Sequence, residues 1–276
     1  MTVRHPLHRS IESVRIAKLI ARAGLCSRRD AERWIADGRV SVNGKLLDTP
    51  AFTVSPSDKI VVDGRPLPAF EEPRLFLYHK PLGLVTTVRD EKNRPTVFGH
   101  LPPALPRVVS VGRLDINSEG LLLLTNDGGL ARYLELPANA LRRVYRVRLH
   151  GPVDVARLAK LAQGITVDGV RYGPIEARID GGPHGASNQW LVVTLKEGKN
   201  REIRNVMEHM GLQVTRLIRT AYGPFELGHL PPGAAVEVPP HTLEEKLPGY
   251  FARGSQLQPV NRNRQHSHKR SELQSP

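Results

Sequence analysis

Residues 112–128 read GRLDINSEGLLLLTNDG, and no other stretch constrains the fold as tightly. Leu121, Leu122, Leu123 and Leu124 form an unbroken apolar run, closed by Thr125, Asn126, Asp127 and Gly128. Such a run predicts a buried strand that ends in a turn. Asp115 lies just before it, two residues from Arg113. An aspartate there sits on a loop anchored by the core, where a rigid scaffold presents a reactive group.

A chain of 276 residues has room for two domains and a sizeable core. Cys26 is the only cysteine, which excludes an intramolecular disulfide and calls for no oxidising compartment. A lone cysteine also argues against a zinc site, so no metal is expected. No apolar run approaches the length of a membrane span, and the opening MTVRHPLHRS lacks the apolar segment of a signal peptide. The expected setting is cytoplasmic, with no membrane partner. The formal net charge is +13, spread along the whole chain. That excess favours polyanions, nucleic acid above all, and the spread suits a long RNA footprint.

Residues 1–13 read as an N-terminal extension, and 14–64 as a small unit. ESVRIAKLIARA, residues 12–23, has helical periodicity, with Ile16, Leu19, Ile20 and Ala23 on one face. Arg15, Lys18 and Arg22 form a basic stripe on another, and Gly24 stops the helix. Ser27 opens a second helix with Asp30 as capping-box partner, carrying Arg28, Arg29, Arg33 and Trp34 to Gly38. Trp34 is expected in the core. Val40 and Val42 alternate before Asn43-Gly44, and Ile60 and Val62 before Asp63-Gly64, which predicts short strands with tight turns.

RPLPAFEEPR, residues 65–74, reads as a linker. Strands dominate residues 75–248. They are predicted at 75–78, across VYRVRL at 144–149, at 190–195, and at 213–222 with Arg216 and Arg219. Helices are predicted at 153–163 and 200–210. The expectation is an α+β chain: a small α/β unit, then a larger domain on a mainly antiparallel mixed sheet. Residues 249–276 lose hydrophobic periodicity and read as a disordered basic tail. Its His266 and His268 are expected to be solvated, and its charge to add salt-sensitive RNA attraction.

Several segments match a known family. GRLD followed by GLLLLTNDG resembles the catalytic motif of the RsuA/RluB family of ribosomal RNA pseudouridine synthases, with Ser118 where the family usually has Thr. AKLIARAGLCSRRDAERWIADGRVSVNGKLL resembles the S4 RNA-binding domain. RRVYRVRL matches the family's second motif, and LYHKPLGLVTT a signature at the start of its catalytic domain. TLKEGKNREIRNVMEHMG, residues 194–211, resembles EGKNRQ(I/V)RRM, with Glu202 for the usual Gln and Asn205 for a common second Arg. Those two departures bear on RNA contacts. The resemblance covers roughly residues 14–240 and is nearest to the RluB type.

The resemblance implies that a uridine of ribosomal RNA, in the large subunit, is isomerised to pseudouridine by a monomer. Free rRNA and a pre-ribosomal particle are both open as the partner. A small-subunit enzyme and a non-catalytic rRNA-binding or assembly protein are the alternatives. Breaking a carbon–nitrogen bond and making a carbon–carbon bond to the same ring needs no redox change and no group donor, so no cofactor is expected. By the resemblance, Asp115 is the nucleophile, Arg204 pairs with it, and Tyr145 stacks on the flipped uracil. Attack at C1′ and abstraction of a sugar proton both stay open. Ile203 walls the uracil pocket, Arg113 contacts RNA backbone or orients the loop, Arg201 reaches RNA phosphate, and Lys80 is structural or RNA-contacting but not catalytic. Arg15, Lys18, Arg22, Arg28, Arg29 and Arg33 supply phosphate contacts. Glu119, four residues from Asp115, raises a paired-carboxylate hydrolase, but nothing nearby would make one of the two a general acid.

Overall fold

The four leucines lie in a strand, Glu119–Thr125, of which every residue is buried. The computed structural model describes residues 14–254 apart from 56 and 182–186. The expected extension 1–13 and the tail beyond 254, with His266 and His268, lie outside the described residues. The chain divides into two compact units: Glu72–Lys246, and a smaller one of residues up to Glu71 with those from Leu247 on.

In the smaller unit, helices Ile16–Arg22 and Arg28–Ala36 share one core with a four-stranded sheet. The sheet pairs Val40–Val42, Lys45–Leu46, Ile60–Val62 and Arg65–Pro66 antiparallel. Ser27 caps the second helix reciprocally: its hydroxyl accepts from Asp30 N at 3.1 Å, and Asp30 accepts from Ser27 N at 3.3 Å. The first helix starts later than its periodicity predicts. Val14–Arg15 instead pairs with Thr53–Val54, so Arg15 precedes the helix. A marginal first helical turn loses to a sheet bond that β-branched Val14 favours. Two other expectations are corrected. Arg65–Pro66 belongs to the sheet and not to a linker, and Pro248–Gly254 is a helix inside the stretch read as tail.

The larger unit is built on a nine-stranded sheet. Its main strands are β1 (Leu75–Lys80), β2 (Glu119–Thr125), β3 (Arg143–His150), β4 (Ile175–Ile179), β5 (Asn188–Leu195), β6 (Gln213–Tyr222) and β7 (Ala235–Glu237). They lie in the order β4-β5-β3-β6-β2-β1-β7. Neighbours are antiparallel except β6 and β2, which run parallel over Ile218 to Glu119 and Arg219 to Gly120. Strand β3 alternates as its sequence predicts. Tyr145, Val147 and Leu149 are buried, while Arg146, Arg148 and His150 are exposed. The buried set packs with Leu191, Val193 and Leu195 of β5 and with Val206 and Met207 of the Glu202–His209 helix. Each such side chain contributes about 2 kcal/mol by leaving water.

After the leucines the chain does more than turn. Asp127 caps a helix, Gly128–Glu135, by accepting from Gly129 N at 2.6 Å and Leu130 N at 2.9 Å. Two glycines at its start hide this helix from propensity. The cap and the burial of Leu130 and Leu134 outweigh them.

Gly120 is where β2 and β6 meet. Its φ is +102°, and a Cβ there would lie 2.3 Å from the carbonyl oxygen and 2.7 Å from the nitrogen of Arg219. Both atoms are backbone and cannot move aside cheaply. Gly120→Ala is therefore expected to destabilise the larger unit by about 3 kcal/mol. Urea unfolding measures this, and a loss below about 1 kcal/mol would contradict the close approach.

Candidate active site

Asp115 is partly exposed on a loop braced from several sides. Thr86 Oγ1 donates to Leu114 O at 2.8 Å and accepts from Leu114 N at 3.3 Å. Glu135 accepts from Gly112 N at 2.7 Å, and Gly83 N donates to Ile116 O at 2.9 Å. Ser118 N closes the turn onto Asp115 O at 3.0 Å. Lys80 Nζ, fully buried at the end of β1, donates to Ser118 O at 2.8 Å and Pro81 O at 2.9 Å. The loop's backbone is thus fixed by side chains of other elements, and Asp115 keeps its carboxylate free to act.

Three cations lie around that carboxylate. Arg201 Nη1 is 3.8 Å from Asp115 Oδ2. Arg201 caps the Glu202–His209 helix with a left-handed backbone, φ 51°. Arg204, one turn on, donates from its two terminal nitrogens to backbone, Nη2 to Asn117 O at 2.7 Å and Nη1 to Val214 O at 3.2 Å, while its buried Nε has no acceptor among the described residues. Burial and the neighbouring Arg201 charge pull the Arg204 guanidinium below its usual value, and Asp115 pushes back. Burial brings the Lys80 ammonium down to about 8, opposed by the charges of Asp115 and Glu119.

One expectation changes here and another narrows. The ion pair to Asp115 comes from Arg201, not Arg204. The two are three apart in sequence, and the left-handed turn at Arg201 decides which of them reaches the carboxylate. Of the two roles open for Lys80, its full burial removes RNA contact and leaves the structural one, beneath the loop.

Tyr145, Ile203 and Leu114 lie in one buried cluster. The strand register places Tyr145 opposite Arg219, Arg219 opposite Gly120 and Gly120 opposite Lys80, a row across four strands. Arg219 is buried and donates from Nε to Leu121 O at 2.7 Å. The sequence reading gave it no role, although a basic residue in an otherwise buried register was a signal. Arg113 is exposed on the loop. Glu119 is buried and bound by Arg216 at 2.5 Å, so it is not the second acid of a hydrolase.

In the smaller unit Arg15, Lys18, Arg28, Arg29 and Arg33 are exposed. Arg28 pairs with Glu32 at 3.5 Å, and Arg33 with Asp30. Exposed pairs of this kind are weak and open readily to a phosphate. Arg22 departs from the expected stripe: it is half-buried, with its guanidinium 5.2 Å from the centre of the Phe70 ring. Among the described residues, no group of three or more His, Cys, Asp or Glu side chains is placed to hold a metal ion.

Known proteins resemble this chain along most of its length. Residues 74–209 match the RNA pseudouridylate synthase family, and residues 14–60 match the S4 domain. An RNA pseudouridine synthase of Rickettsia felis is 48% identical over 84% of this chain and 99% of its own length. The ribosomal large subunit pseudouridine synthase B of Escherichia coli O157:H7 is 42% identical over 82% of this chain and 80% of its own. A crystal structure of a pseudouridylate synthase superimposes with a TM-score of 0.59 at 27% identity, covering 85% of this chain and all of that one. A braced aspartate with basic neighbours, on a chain that matches such relatives along most of its length, places this protein in the RNA pseudouridine synthase family, with an S4 domain in its N-terminal part.

Proposed function

We propose that this enzyme converts a uridine of large-subunit ribosomal RNA to pseudouridine, with Asp115 as the group that acts at the sugar. The observation that carries the reading is the Asp115 loop: its backbone is fixed by other elements, and its carboxylate is left partly exposed beside Arg201. The large subunit is favoured by relatives at 42–43% identity that bear the name ribosomal large subunit pseudouridine synthase B. A ribosomal substrate sets the work in the cytoplasm.

The exposed cations of the smaller unit hold RNA phosphates, and binding releases counterions. The target uridine leaves its stack, at a cost of a few kcal/mol, and its ring lies against Tyr145 with Ile203 as an apolar wall. The N1–C1′ bond breaks, the uracil turns, and a C1′–C5 bond forms. C5 loses its proton and N1 gains one, so the reaction is an isomerisation without net redox change. Arg201 faces the Asp115 carboxylate at 3.8 Å, and Lys80 holds the loop from beneath through Ser118 O. Arg204 holds Asn117 and Val214 in place and so fixes the distance between the loop and β6.

Asp115→Asn is expected to abolish pseudouridine formation while RNA affinity stays within about twofold, since one neutralised carboxylate removes no phosphate contact. Mapping pseudouridine in rRNA after incubation with the variant checks this, and substantial residual product would remove Asp115 from its role. The two arginines should separate. Arg201→Ala is expected to lower kcat about a hundredfold with little change in stability. Arg204→Ala should cost about 2 kcal/mol of stability, because two carbonyls lose their donors. Equal stability losses in urea would contradict that division. Replacing Lys18 and Arg29 together by Ala should lessen the slope of log K against log salt by about 2. An unchanged slope in filter binding would mean that these side chains touch no phosphate.

A further inference from the structure

The loop that presents Arg201 is closed by two acids. It covers residues 196–201, between β5 and the Glu202–His209 helix. Glu202 is only 4% exposed. Its Oε2 accepts from Lys199 N at 3.0 Å, while its Oε1 is buried and receives no donor. The carboxyl of Glu197 faces it. Glu197 is well supplied: Oε1 accepts from Gly173 N at 2.6 Å and Oε2 from Lys199 Nζ at 2.5 Å.

Other charged groups border the loop: buried Arg143 of β3 donates from Nη1 to Lys196 O at 2.6 Å and lies beside Gly198. The Lys199 ammonium lies 5.9 Å from the centre of the Tyr172 ring. The Tyr172 hydroxyl accepts from Asn205 Nδ2 at 3.1 Å. Arg201 adjoins Glu202 in the chain.

Glu202 is buried while the Glu197 side chain is 29% exposed, and a buried carboxylate facing a second one is costly unless a proton lies between them. The hydrogen bonds decide which acid carries it. Glu197 has an N–H and an ammonium and is the anion. Glu202 has one N–H and an oxygen without a donor, so it is the acid. Burial pushes the Glu202 carboxyl up to about 7; the Lys199 N–H works against this and the Glu197 charge adds to it. Burial acts on Glu197 as well, but the Gly173 N–H and the Lys199 ammonium outweigh it and hold that carboxyl below its usual range.

We propose that Glu202 is a positioning residue. As a neutral acid it donates from Oε1 to Glu197, and this shared proton locks the 196–201 loop so that Arg201 meets Asp115. The proposal rests on the reading of Asp115 as the group that acts at the sugar. Arg201 is left-handed at φ 51°, a backbone that a side chain other than glycine keeps only when its surroundings impose it. The acid pair adjoins that residue and ties the loop to Gly173. When the proton leaves, two like charges face each other, the loop slackens, and Arg201 withdraws from Asp115.

The sign of the pH dependence follows. A carboxyl raised above its unfolded value gives the folded state an extra proton. Its contribution is fully present below the unfolded value of 4.5 and is lost as pH rises through about 7. Glutamine at 202 would donate from its amide at every pH. Glutamine at 197 would donate to Glu202 from the other side.

The test uses the full chain with rRNA. Between about pH 6 and about pH 8.5, kcat of the wild type should fall about tenfold while KM for RNA holds. Glu202→Gln and Glu197→Gln should keep only the part of the fall that sets in near about pH 8, where the Lys80 ammonium titrates, and Glu202→Ala should be slow throughout. Infrared spectra at about pH 6 should show the C=O stretch of a protonated carboxyl that Glu202→Gln lacks. Superimposable pH–kcat profiles for wild type and Glu202→Gln would overturn the positioning role, even if the infrared band were present. Absence of the band would overturn the shared proton. A wild type without synthase activity would overturn the function itself and the positioning role with it, and the infrared result would still decide the shared proton.

Discussion

Two residue pairs, Ile218 to Glu119 and Arg219 to Gly120, join the halves of the large sheet, and the active site depends on that seam. The Asp115 loop leads into β2, and the helix with Arg201 and Arg204 leads towards β6. A shift of β6 along β2 would move the carboxylate against its cations. Gly120 permits the seam because it has no Cβ to strike the Arg219 backbone. Arg219 adds a bond from its side chain to Leu121 O, and Arg204 spans the same gap through Asn117 and Val214. Short parallel pairing is weak alone, so side-chain bonds of this kind give the seam its fixed register.

The cations at Asp115 differ in what they contribute. Arg201 and Asp115 are 50% and 34% exposed, and a pair so open to water adds about 0–1 kcal/mol to folding. Its worth lies in reach: at 3.8 Å and half exposed, Arg201 is a contact that a bound group could displace. Lys80 is the opposite case. It is fully buried and donates to two backbone carbonyls, Ser118 O and Pro81 O, which would lose their donor with it. Its ammonium therefore fixes the loop from below, where substrate does not go. One carboxylate is thus held by a structural cation on one side and a displaceable one on the other.

Much of the fold was legible because it is local. The leucine run, the Ser27–Asp30 capping box, the Asn43-Gly44 turn and the alternation of β3 are written in neighbouring residues. What was not legible depends on contacts far apart in sequence. Arg201 and Arg204 are three apart in sequence, so spacing alone could not say which one pairs with Asp115. The left-handed φ of Arg201 decides it, and no propensity favours that conformation in arginine. Lys80 reads as a surface cation until β1 is seen beside β2. The Gly128–Glu135 helix was hidden by its glycines, and Arg15 by a strand partner 38 positions away, at Thr53. Glu197 and Glu202 look like ordinary charged residues, five apart, until burial and the Gly173 contact bring them together.

Capture and chemistry draw on different physics in this chain. The cations of the smaller unit are exposed and only loosely paired with their own acids. Their attraction to phosphate is long-ranged, tolerant of sequence and weakened by salt. The bonds that set Asp115 are short and run to backbone carbonyls and a buried ammonium, where salt screens little. Affinity for RNA therefore varies with ionic strength while the geometry of the reacting group does not. On the proposed reading, the wide distribution of positive charge draws RNA to the chain, and the braced loop sets where a uridine out of its stack would have to arrive.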